Sequence, residues 1–235
     1  MRIVGVLLAA GSGSRFGGDK LRHPIPPREF DPHDPMPAMD APGNATRAQT
    51  RDDGTARIDT SANREGSQCR VALGVVACRS LVAALPETLA VVRPEDATLG
   101  VLLRGAGARI VPCADAGLGM GHSLACAIQA SRDADGWVVA LADMPWVRVA
   151  TIRAVADALR GGAHMVATSH AGRRGNPVGF AGSYGATLAS LTGDRGARDL
   201  VAAAGDTLAL IDTGDEGVLR DVDVRGDLRE SRDST

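Results

Sequence analysis

This chain of 235 residues has few aromatic side chains and no excess of either charge. Two Trp, one Tyr and three Phe are too few to form a platform on which the bases of single-stranded nucleic acid stack. The 26 Lys and Arg are balanced by 28 Asp and Glu, which leaves a formal charge of −2. Binding nucleic acid by charge needs a clustered basic excess, so we expect no nucleic-acid partner and only local anion sites.

Cysteine is sparse, and long apolar runs are missing. The four Cys stand at positions 69, 78, 113 and 126, and no two have the C-x-x-C spacing of zinc ribbons or thioredoxin-like proteins. Scattered thiols fit a reducing compartment, so we expect a cytoplasmic protein. No apolar stretch approaches the ~18 residues that span a bilayer, and the short run after Met1 leads into a poor cleavage site. Neither a membrane protein nor a secreted one is predicted.

What the sequence does contain is a series of short apolar runs separated by stretches with helical periodicity. Strand alternating with helix predicts an α/β domain whose mostly parallel, Rossmann-like sheet is covered on both faces. Ligands of such sheets bind beyond the carboxyl ends of the strands. The predicted strands are Ile3–Leu8, Leu89–Val92, Arg109–Val111, Trp137–Ala142, Met165–Thr168, Pro177–Phe180, Leu208–Ile211 and Val218–Val224. The predicted helices are Val71–Leu85, Ala97–Leu103, one that begins near His122, Thr151–Leu159 and Ala197–Ala204.

Residues 27–70 interrupt this alternation. Seven of the 12 prolines fall between Pro24 and Pro42, and residues 27–70 contain no Leu or Val. It cannot bury enough apolar surface to offset the entropy lost on ordering, so we expect a disordered insertion in a single domain of residues 1–228. Residues 229–235 are expected to form a frayed tail.

The first predicted strand runs into a glycine-rich segment, Ala9-Ala10-Gly11-Ser12-Gly13-Ser14-Arg15-Phe16-Gly17-Gly18-Asp19-Lys20. Glycines let backbone N–H groups approach a phosphate closely, and Arg15 and Lys20 add positive charge for a polyphosphate. The spacing is not the G-x-G-x-x-G of dinucleotide sites, nor a Walker A loop, because Asp19 separates the last glycine from Lys20. A plain strand-to-helix turn is the alternative.

Together with Leu8, this segment resembles the signature of the MobA-like nucleotidyltransferases, the family that includes molybdenum cofactor cytidylyltransferase. The resemblance implies that Leu8, Ala9, Ala10, Gly11 and Gly13 bind the nucleotide. It implies that Arg15 and Lys20 are catalytic. Other segments resemble the family in the family's own order, and these are Gly117–Leu124, Leu141–Pro145, Gly172–Val178, Gly193–Arg198 and Asp221–Leu228.

The family resemblance implies a three-layer nucleotidyltransferase fold and a Mg²⁺-dependent reaction. In that reaction CMP passes from CTP to the phosphate of molybdenum-bound molybdopterin, and pyrophosphate leaves. The implied partners are CTP, a molybdopterin-type phosphate acceptor, and a recipient molybdoenzyme or its chaperone. A guanylyltransferase, or another phosphate-activating nucleotidyltransferase on the same scaffold, is the alternative.

Carboxylates that bind the metal are expected beyond the carboxyl ends of the strands, where the glycine-rich segment also lies. Asp143 follows a predicted strand, and Mg²⁺ is usually held by one or two carboxylates together with phosphates and water. The resemblance of Leu141–Pro145 to the family's metal-binding segment implies that Asp143 is catalytic and a metal ligand. The second ligand is Asp221 or Asp223, which share a face of a predicted strand by their spacing of two. An exposed pair on a solvated face is the alternative.

Several polar residues are candidates for the other subsites. Ser123 opens a predicted helix, where its hydroxyl suits a ribose or base, although an ordinary helix-start serine is an equal alternative. Asn176 and Asp194 lie in segments that the family places near the acceptor. Asn176 stands where the family often has His, and an amide cannot gain a proton. Arg173 and Arg174 suit either an acceptor phosphate or solvent.

Two other classes of protein compete with this interpretation. Gly121-His122-Ser123-Leu124-Ala125 resembles the nucleophile elbow of a serine hydrolase, and Asp143 followed by His164 or His170 gives the matching order. The elbow requires its serine directly after a strand, and Ala125 replaces its second glycine, so this alternative is disfavoured. A non-catalytic nucleotide sensor would keep the phosphate loop but release no pyrophosphate.

The loop also yields a prediction about nucleotide choice. Related guanylyl enzymes resemble this loop but have Gly at the position of Ala10, so the methyl group should crowd a purine. One methyl group discriminates by only ~1–3 kcal/mol, so we expect CTP to react faster than GTP and Ala10→Gly to narrow the difference without reversing it. Values of kcat/KM for the two nucleotides test this, and preference of the unmodified protein for GTP would support the guanylyl alternative.

Overall fold

The computed structural model describes residues 1–11, 13–25 and 70–228. The predicted insertion, apart from Arg70, and the predicted tail lie outside the described residues. The strands are β1 Ile3–Leu8, β2 Pro24–Ile25, β3 Val71–Ala72, β4 Thr88–Val92, β5 Arg109–Pro112, β6 Gly136–Leu141, β7 Met165–His170, β8 Arg173–Ala181 and β9 Leu208–Asp212. The helices are α1 Leu73–Ala84, α2 Ala97–Gly105, α3 Met120–Gln129, α4 Val149–Arg160, α5 Gly185–Ala189 and α6 Arg198–Ala203. Across these described ranges, no helix is both long and apolar enough to cross a membrane.

Seven of these strands form one sheet in the order β5-β4-β1-β6-β8-β7-β9. All neighbouring strands are parallel except β8, which runs antiparallel to both β6 and β7. The carboxyl ends of β1, β4 and β6 therefore meet at one edge, and the amino end of β8 lies beside them.

Apolar cores on the two faces of the sheet make the three-layer arrangement. Residues of β1 alternate between them, so that Leu7 belongs to one core and Val6 to the other, both 0% exposed. The helical side chains that close the first core include Leu81, Leu103 and Leu159, and those that close the second include Leu124, Leu188 and Val201. Helices thus cover both faces, and the predicted α/β fold class is confirmed.

The predicted strand Val218–Val224 is wrong. A 3₁₀ turn, Glu216–Leu219, stands at its start, and no strand follows within the residues described up to Leu228. Val218 and Val222 are both 0% exposed, but neither is paired in the sheet, and the 3₁₀ turn that contains Val218 packs against β7 and β8. The backbone N–H of Val222 donates to the carbonyl of Asp143 at 2.9 Å. A short apolar run does not reveal which partner buries it, which explains the error.

The two described residues that flank residues 26–69 are brought close together. Ile25 pairs with Val71 and Pro24 with Ala72 in the antiparallel ribbon of β2 and β3. The N–H of Leu73 also donates to the carbonyl of His23 at 3.0 Å. The chain therefore leaves and re-enters the domain at neighbouring points.

This closure supports a deletion experiment. Removing residues 28–68 and joining the ends with a short Gly/Ser turn should preserve the melting temperature and the affinity for nucleoside triphosphate, since loop-closure entropy changes slowly with length. Thermal melts and nucleotide titrations check this. In a folded deletion variant, a rise of about tenfold in KM for CTP or for the acceptor would show that the segment covers the site. Failure of the variant to fold would show that the segment packs on the core.

Candidate active site

The glycine loop begins at the carboxyl end of β1 and is fixed by both neighbouring strands. The N–H of Ala9 donates to the carbonyl of Val91 at 3.0 Å, and the N–H of Ala142 donates to the carbonyl of Leu8 at 3.1 Å. Arg93, which follows β4, donates from Nε to the carbonyl of Ala10 at 2.8 Å. This role of Arg93 was not predictable from local sequence patterns, because the contact spans 83 positions.

Backbone conformation in the loop requires glycine at several positions. Gly13, Gly17 and Gly18 have φ of +59°, +84° and +108°, in the region that side chains disfavour. A Cβ on Gly13 would lie 3.2 Å from the Cβ of Lys20. The bare glycine therefore lets Lys20 fold back over the loop. Gly11 is exposed, whereas Ala9 and Ala10 are buried. Ala10 can therefore affect a bound base only through the small part of its surface that is exposed, or by changing the position of the loop.

Four charged side chains meet beyond β1 and β6. The ammonium of Lys20 lies 2.9 Å from Oδ2 of Asp143 and 3.7 Å from Oδ1 of Asp223. Arg15 donates to Oδ2 of Asp223 at 2.5 Å. The Lys20 side chain is only 11% exposed, so water screens its attraction to the two carboxylates less than it screens the exposed pair of Arg15 and Asp223. The structure thus brings together Arg15, Lys20 and Asp143, the three residues predicted to be catalytic.

Asp221 and Asp223 do not share the face of a strand, because no strand is present at these residues. The path of the backbone decides which of the two faces Lys20. The bond from Val222 to Asp143 fixes the segment, and Asp223 then points to Lys20. Asp221 is exposed. Of the two, Asp223 is therefore the one that lies with Asp143.

The carboxylate pair suits a hard divalent cation. Asp143 and Asp223 both approach one cationic group, and carboxylate oxygens are the ligands that Mg²⁺ prefers. In the ranges that the structure covers, no three His, Cys, Asp or Glu residues cluster as a complete metal site. The pair therefore fits a metal that takes its remaining ligands from phosphate and water.

One residue type singles out this cluster. Lys20 is the only lysine in the chain, and the other 25 basic residues are arginine. A flexible point charge suits a group that exchanges partners better than the rigid fork of arginine does. The presence of a single lysine was visible in the composition, but Lys20 was selected because of its place in the glycine-rich motif.

The segment after β9 is anchored by Asp215, which sequence reasoning missed. Asp215 is 2% exposed and accepts hydrogen bonds from the N–H of Arg148 at 2.8 Å and from the hydroxyl of Thr151 at 2.7 Å. It also accepts from the N–H of Gly217 at 3.0 Å. This one carboxylate joins the start of α4 to the segment that carries Asp223.

A cavity of about 250 Å³ opens beside the charge cluster. Leu8 and Leu141, the last residues of β1 and β6, lie in its wall, together with Phe180. Asn176 and Asp194, predicted near the acceptor, also line it. The exposed arginines among its lining residues are Arg174, Arg195 and Arg198. The cavity combines apolar walls with positive charge, which suits an anion that carries an apolar body.

The loop that carries Asp194 is held against the start of α3. The N–H of Gly121 donates to the carbonyl of Gly193 at 2.8 Å, and the N–H of Gly193 donates to Nδ1 of His122 at 3.3 Å. A Cβ on Gly119 would lie 2.3 Å from the backbone carbon of Gly193, so the two backbones touch only because glycine is present. His122, which sequence reasoning passed over for the site, thus positions one wall of the cavity.

Ser123 does not open α3 as expected. The helix begins at Met120, and Ser123, in its first turn, is 4% exposed and is not among the residues that line the cavity. Between the end of β5 and Ser123 lies the 3₁₀ helix Ala114–Leu118, so the strand-turn-helix geometry of a hydrolase elbow is absent from this segment. The ribose role of Ser123 stays a prediction, and its placement gives it no support.

The buried thiols are unsuited to nucleophilic chemistry. Burial raises the pKa of Cys78 to about 12, and burial with a hydrogen bond to Cys126 raises the pKa of Cys113 to about 12. Both are therefore protonated at neutral pH, and a thiol is a weak nucleophile.

Comparison with known proteins identifies the family of this chain. Residues 71–208 match the model of the MobA-like NTP transferase domain, a class of nucleotidyltransferases. This match covers more than half of the chain, so the chain belongs to the MobA-like NTP transferase family. A comparison with curated protein sequences gave no match.

Solved structures share the fold at low sequence identity. Rv0371c from Mycobacterium tuberculosis H37Rv in complex with manganese is 20% identical with a TM-score of 0.64, and the alignment covers 100% of both chains. Molybdopterin-guanine dinucleotide biosynthesis protein A from Archaeoglobus fulgidus is 14% identical with a TM-score of 0.56, over 97% of this chain and 95% of that chain. The 4-diphosphocytidyl-2C-methyl-D-erythritol synthase from Anaerococcus prevotii is 12% identical with a TM-score of 0.62, over 97% and 92%. At these identities the likeness concerns the fold alone.

The charge cluster predicts the effect of one isosteric change. Asp143→Asn keeps the shape of the side chain but removes its charge, so turnover should fall by about 10²-fold or more while the protein still folds. Nucleotide-dependent pyrophosphate release and a thermal melt measure the two effects.

Asp157→Asn is the matched control, because Asp157 is 68% exposed on α4, and among the described residues its side chain pairs with Arg160 alone. It should leave both quantities unchanged. Near-normal metal-dependent turnover in Asp143→Asn would show that Asp143 is not part of the reaction centre.

Proposed function

We propose that this protein is a Mg²⁺-dependent nucleotidyltransferase that transfers CMP from CTP to the phosphate of a molybdopterin-type acceptor. The observation that carries the proposal is the meeting of Lys20 and Arg15 with Asp143 and Asp223 at the end of β1. Cationic groups for a triphosphate and carboxylates for a metal thus stand at one point. Membership of the MobA-like NTP transferase family supports the same reaction class.

In the proposed reaction, an oxygen of the acceptor phosphate attacks the α-phosphorus of CTP. The bond from that phosphorus to the bridging oxygen breaks, and pyrophosphate leaves with the bond electrons. The barrier comes from crowded negative charge, so catalysis consists mainly of positioning and electrostatic stabilisation. Arg15 and Lys20 neutralise the leaving phosphates, and backbone N–H groups of the glycine loop orient them. Bound Mg²⁺, held by Asp143 and Asp223, would supply further charge neutralisation.

Arg15 and Lys20 must change partners for this to happen. In the structure, each of them neutralises a carboxylate of the site. We propose that the triphosphate draws both cationic groups away and so frees Asp143 and Asp223 for the metal. Nucleotide and metal then bind cooperatively, because each relieves a contact that opposes the other.

The cavity beside the cluster is the proposed acceptor site. Arg174, Arg195 and Arg198 can meet the acceptor phosphate, and the amide of Asn176 can donate a hydrogen bond. The apolar wall with Phe180 suits the organic body of the acceptor. A recipient molybdoenzyme or its chaperone would take the product.

The identity of the nucleotide base depends on the glycine loop rather than on the fold. The fold is shared both by a molybdopterin-guanine dinucleotide protein and by a diphosphocytidyl synthase, so it does not distinguish guanine from cytosine. The choice of CTP therefore rests on the loop sequence around Ala10, and guanylyl transfer is the alternative.

The proposal is tested by pyrophosphate release from CTP, GTP, ATP and UTP, each with a series of phosphate monoesters that includes molybdopterin. We expect release that depends on both CTP and a pterin phosphate. Release with GTP and an acceptor, but not with CTP and an acceptor, would replace the cytidylyl proposal by the guanylyl one. Nucleotide binding without release from any pair would indicate a nucleotide sensor.

If Lys20 exchanges a carboxylate for the triphosphate, replacing it should strengthen metal binding and weaken nucleotide use. Lys20→Met removes the cation beside Asp143, so without nucleotide the protein should bind Mn²⁺ about tenfold more tightly, while KM for CTP rises about tenfold or more. Electron paramagnetic resonance of free Mn²⁺ and steady-state kinetics measure these changes. Because Lys20 is the only lysine, its side-chain NMR signal needs no assignment and should shift when CTP is added.

Arg22→Met provides the control, since Arg22 stands two positions further on but pairs with Asp19. It should leave the Mn²⁺ affinity unchanged. Weaker Mn²⁺ binding in Lys20→Met would contradict the competition between lysine and metal.

A further inference from the structure

Asp227, in the 3₁₀ turn Arg225–Leu228, makes two contacts with the segment that carries Asp223. The backbone N–H groups of Asp223 and Val224 both donate to its Oδ2, at 2.7 and 2.8 Å. These two bonds hold the pKa of Asp227 below its ordinary value, so its carboxylate is ionised at neutral pH. One oxygen therefore fixes two consecutive backbone groups at the position of the proposed metal ligand.

The backbone of Asp223 is restrained from both directions. Before it, Val222 is 0% exposed and its N–H donates to the carbonyl of Asp143 at 2.9 Å. After it, the only hydrogen bonds that the described structure shows for the N–H groups of residues 223 and 224 are those to Asp227. There is no strand or α-helix here to supply backbone partners.

The side chain of Asp223 needs this support. It is 42% exposed, and its contacts with Arg15 and Lys20 are to long side chains that must leave when the triphosphate binds. At that moment the backbone bonds to Asp227 and the anchor at Val222 are what keep the carboxylate in place. Partners of this kind, behind a metal ligand, contribute about 10–100-fold to metal affinity or activity in other proteins.

We propose that Asp227 is a positioning residue for the reaction, which holds the Asp223 carboxylate beside Asp143 by fixing the backbone at residues 223 and 224. The proposal rests on the proposed function for its effect on turnover. Its effect on metal binding can be measured without any reaction.

Two substitutions separate this role from the alternatives. Asp227→Ala removes the acceptor, so Mn²⁺ affinity and kcat should each fall about tenfold or more, with a smaller effect on KM for CTP. Asp227→Asn keeps a carbonyl oxygen that can accept both N–H groups, so it should retain both quantities within about threefold. Asp157→Ala, which removes an exposed carboxylate from α4, should change neither.

The measurements are Mn²⁺ titration by electron paramagnetic resonance, pyrophosphate release, and a thermal melt of each variant. Equal losses in Asp227→Asn and Asp227→Ala would overturn the proposal, because they would show that the charge rather than the hydrogen-bond acceptor matters. Unchanged Mn²⁺ affinity in a folded Asp227→Ala would also overturn it. If the unmodified protein releases no pyrophosphate, the proposed function fails, but the Mn²⁺ titrations still decide the role of Asp227.

Discussion

The contact between the Lys20 ammonium and the carboxylates of Asp143 and Asp223 is the interaction on which the site depends. Two carboxylates that face each other repel unless a cation lies between them. Lys20 supplies that cation, and its low exposure keeps the attraction from being screened by water. The contact joins the glycine loop, the end of β6 and the segment after β9, which are distant in the sequence.

The rest of the architecture brings these three segments to one edge of the sheet. Strands β1 and β6 are neighbours and run parallel, so the loop and Asp143 leave the sheet side by side. Asp215 fastens the last segment to α4, and Val222 fastens it to Asp143. The positive charge is local: a chain with a formal charge of −2 offers anions a few fixed cationic groups rather than a basic surface.

The sequence was sufficient to predict most of the sheet and three of the four charged side chains that meet beyond β1 and β6. Strand β1 has its predicted bounds, and most of the predicted helices and strands shift by only a few residues, because apolar periodicity is a local property. The antiparallel direction of β8 and its full length were not predictable, since pairing between distant strands decides them. The strand expected at Val218–Val224 was wrong for the same reason, because this segment packs against the sheet without pairing in it.

By itself, the sequence determined the glycine loop, Arg15, Lys20 and Asp143 as the candidates for phosphate and metal chemistry. These residues lie in the segment that follows β1 or shortly after β6, and the apolar pattern of both strands is evident locally. Only the tertiary structure decided that Asp223, rather than Asp221, joins them, and that Asp215 fastens their segment to α4. The partners in these contacts are far apart in the chain, by 123 positions for Lys20 and Asp143 and by 208 for Arg15 and Asp223. Which side chains meet over such separations depends on how the whole chain packs, and residue spacing carries no record of it.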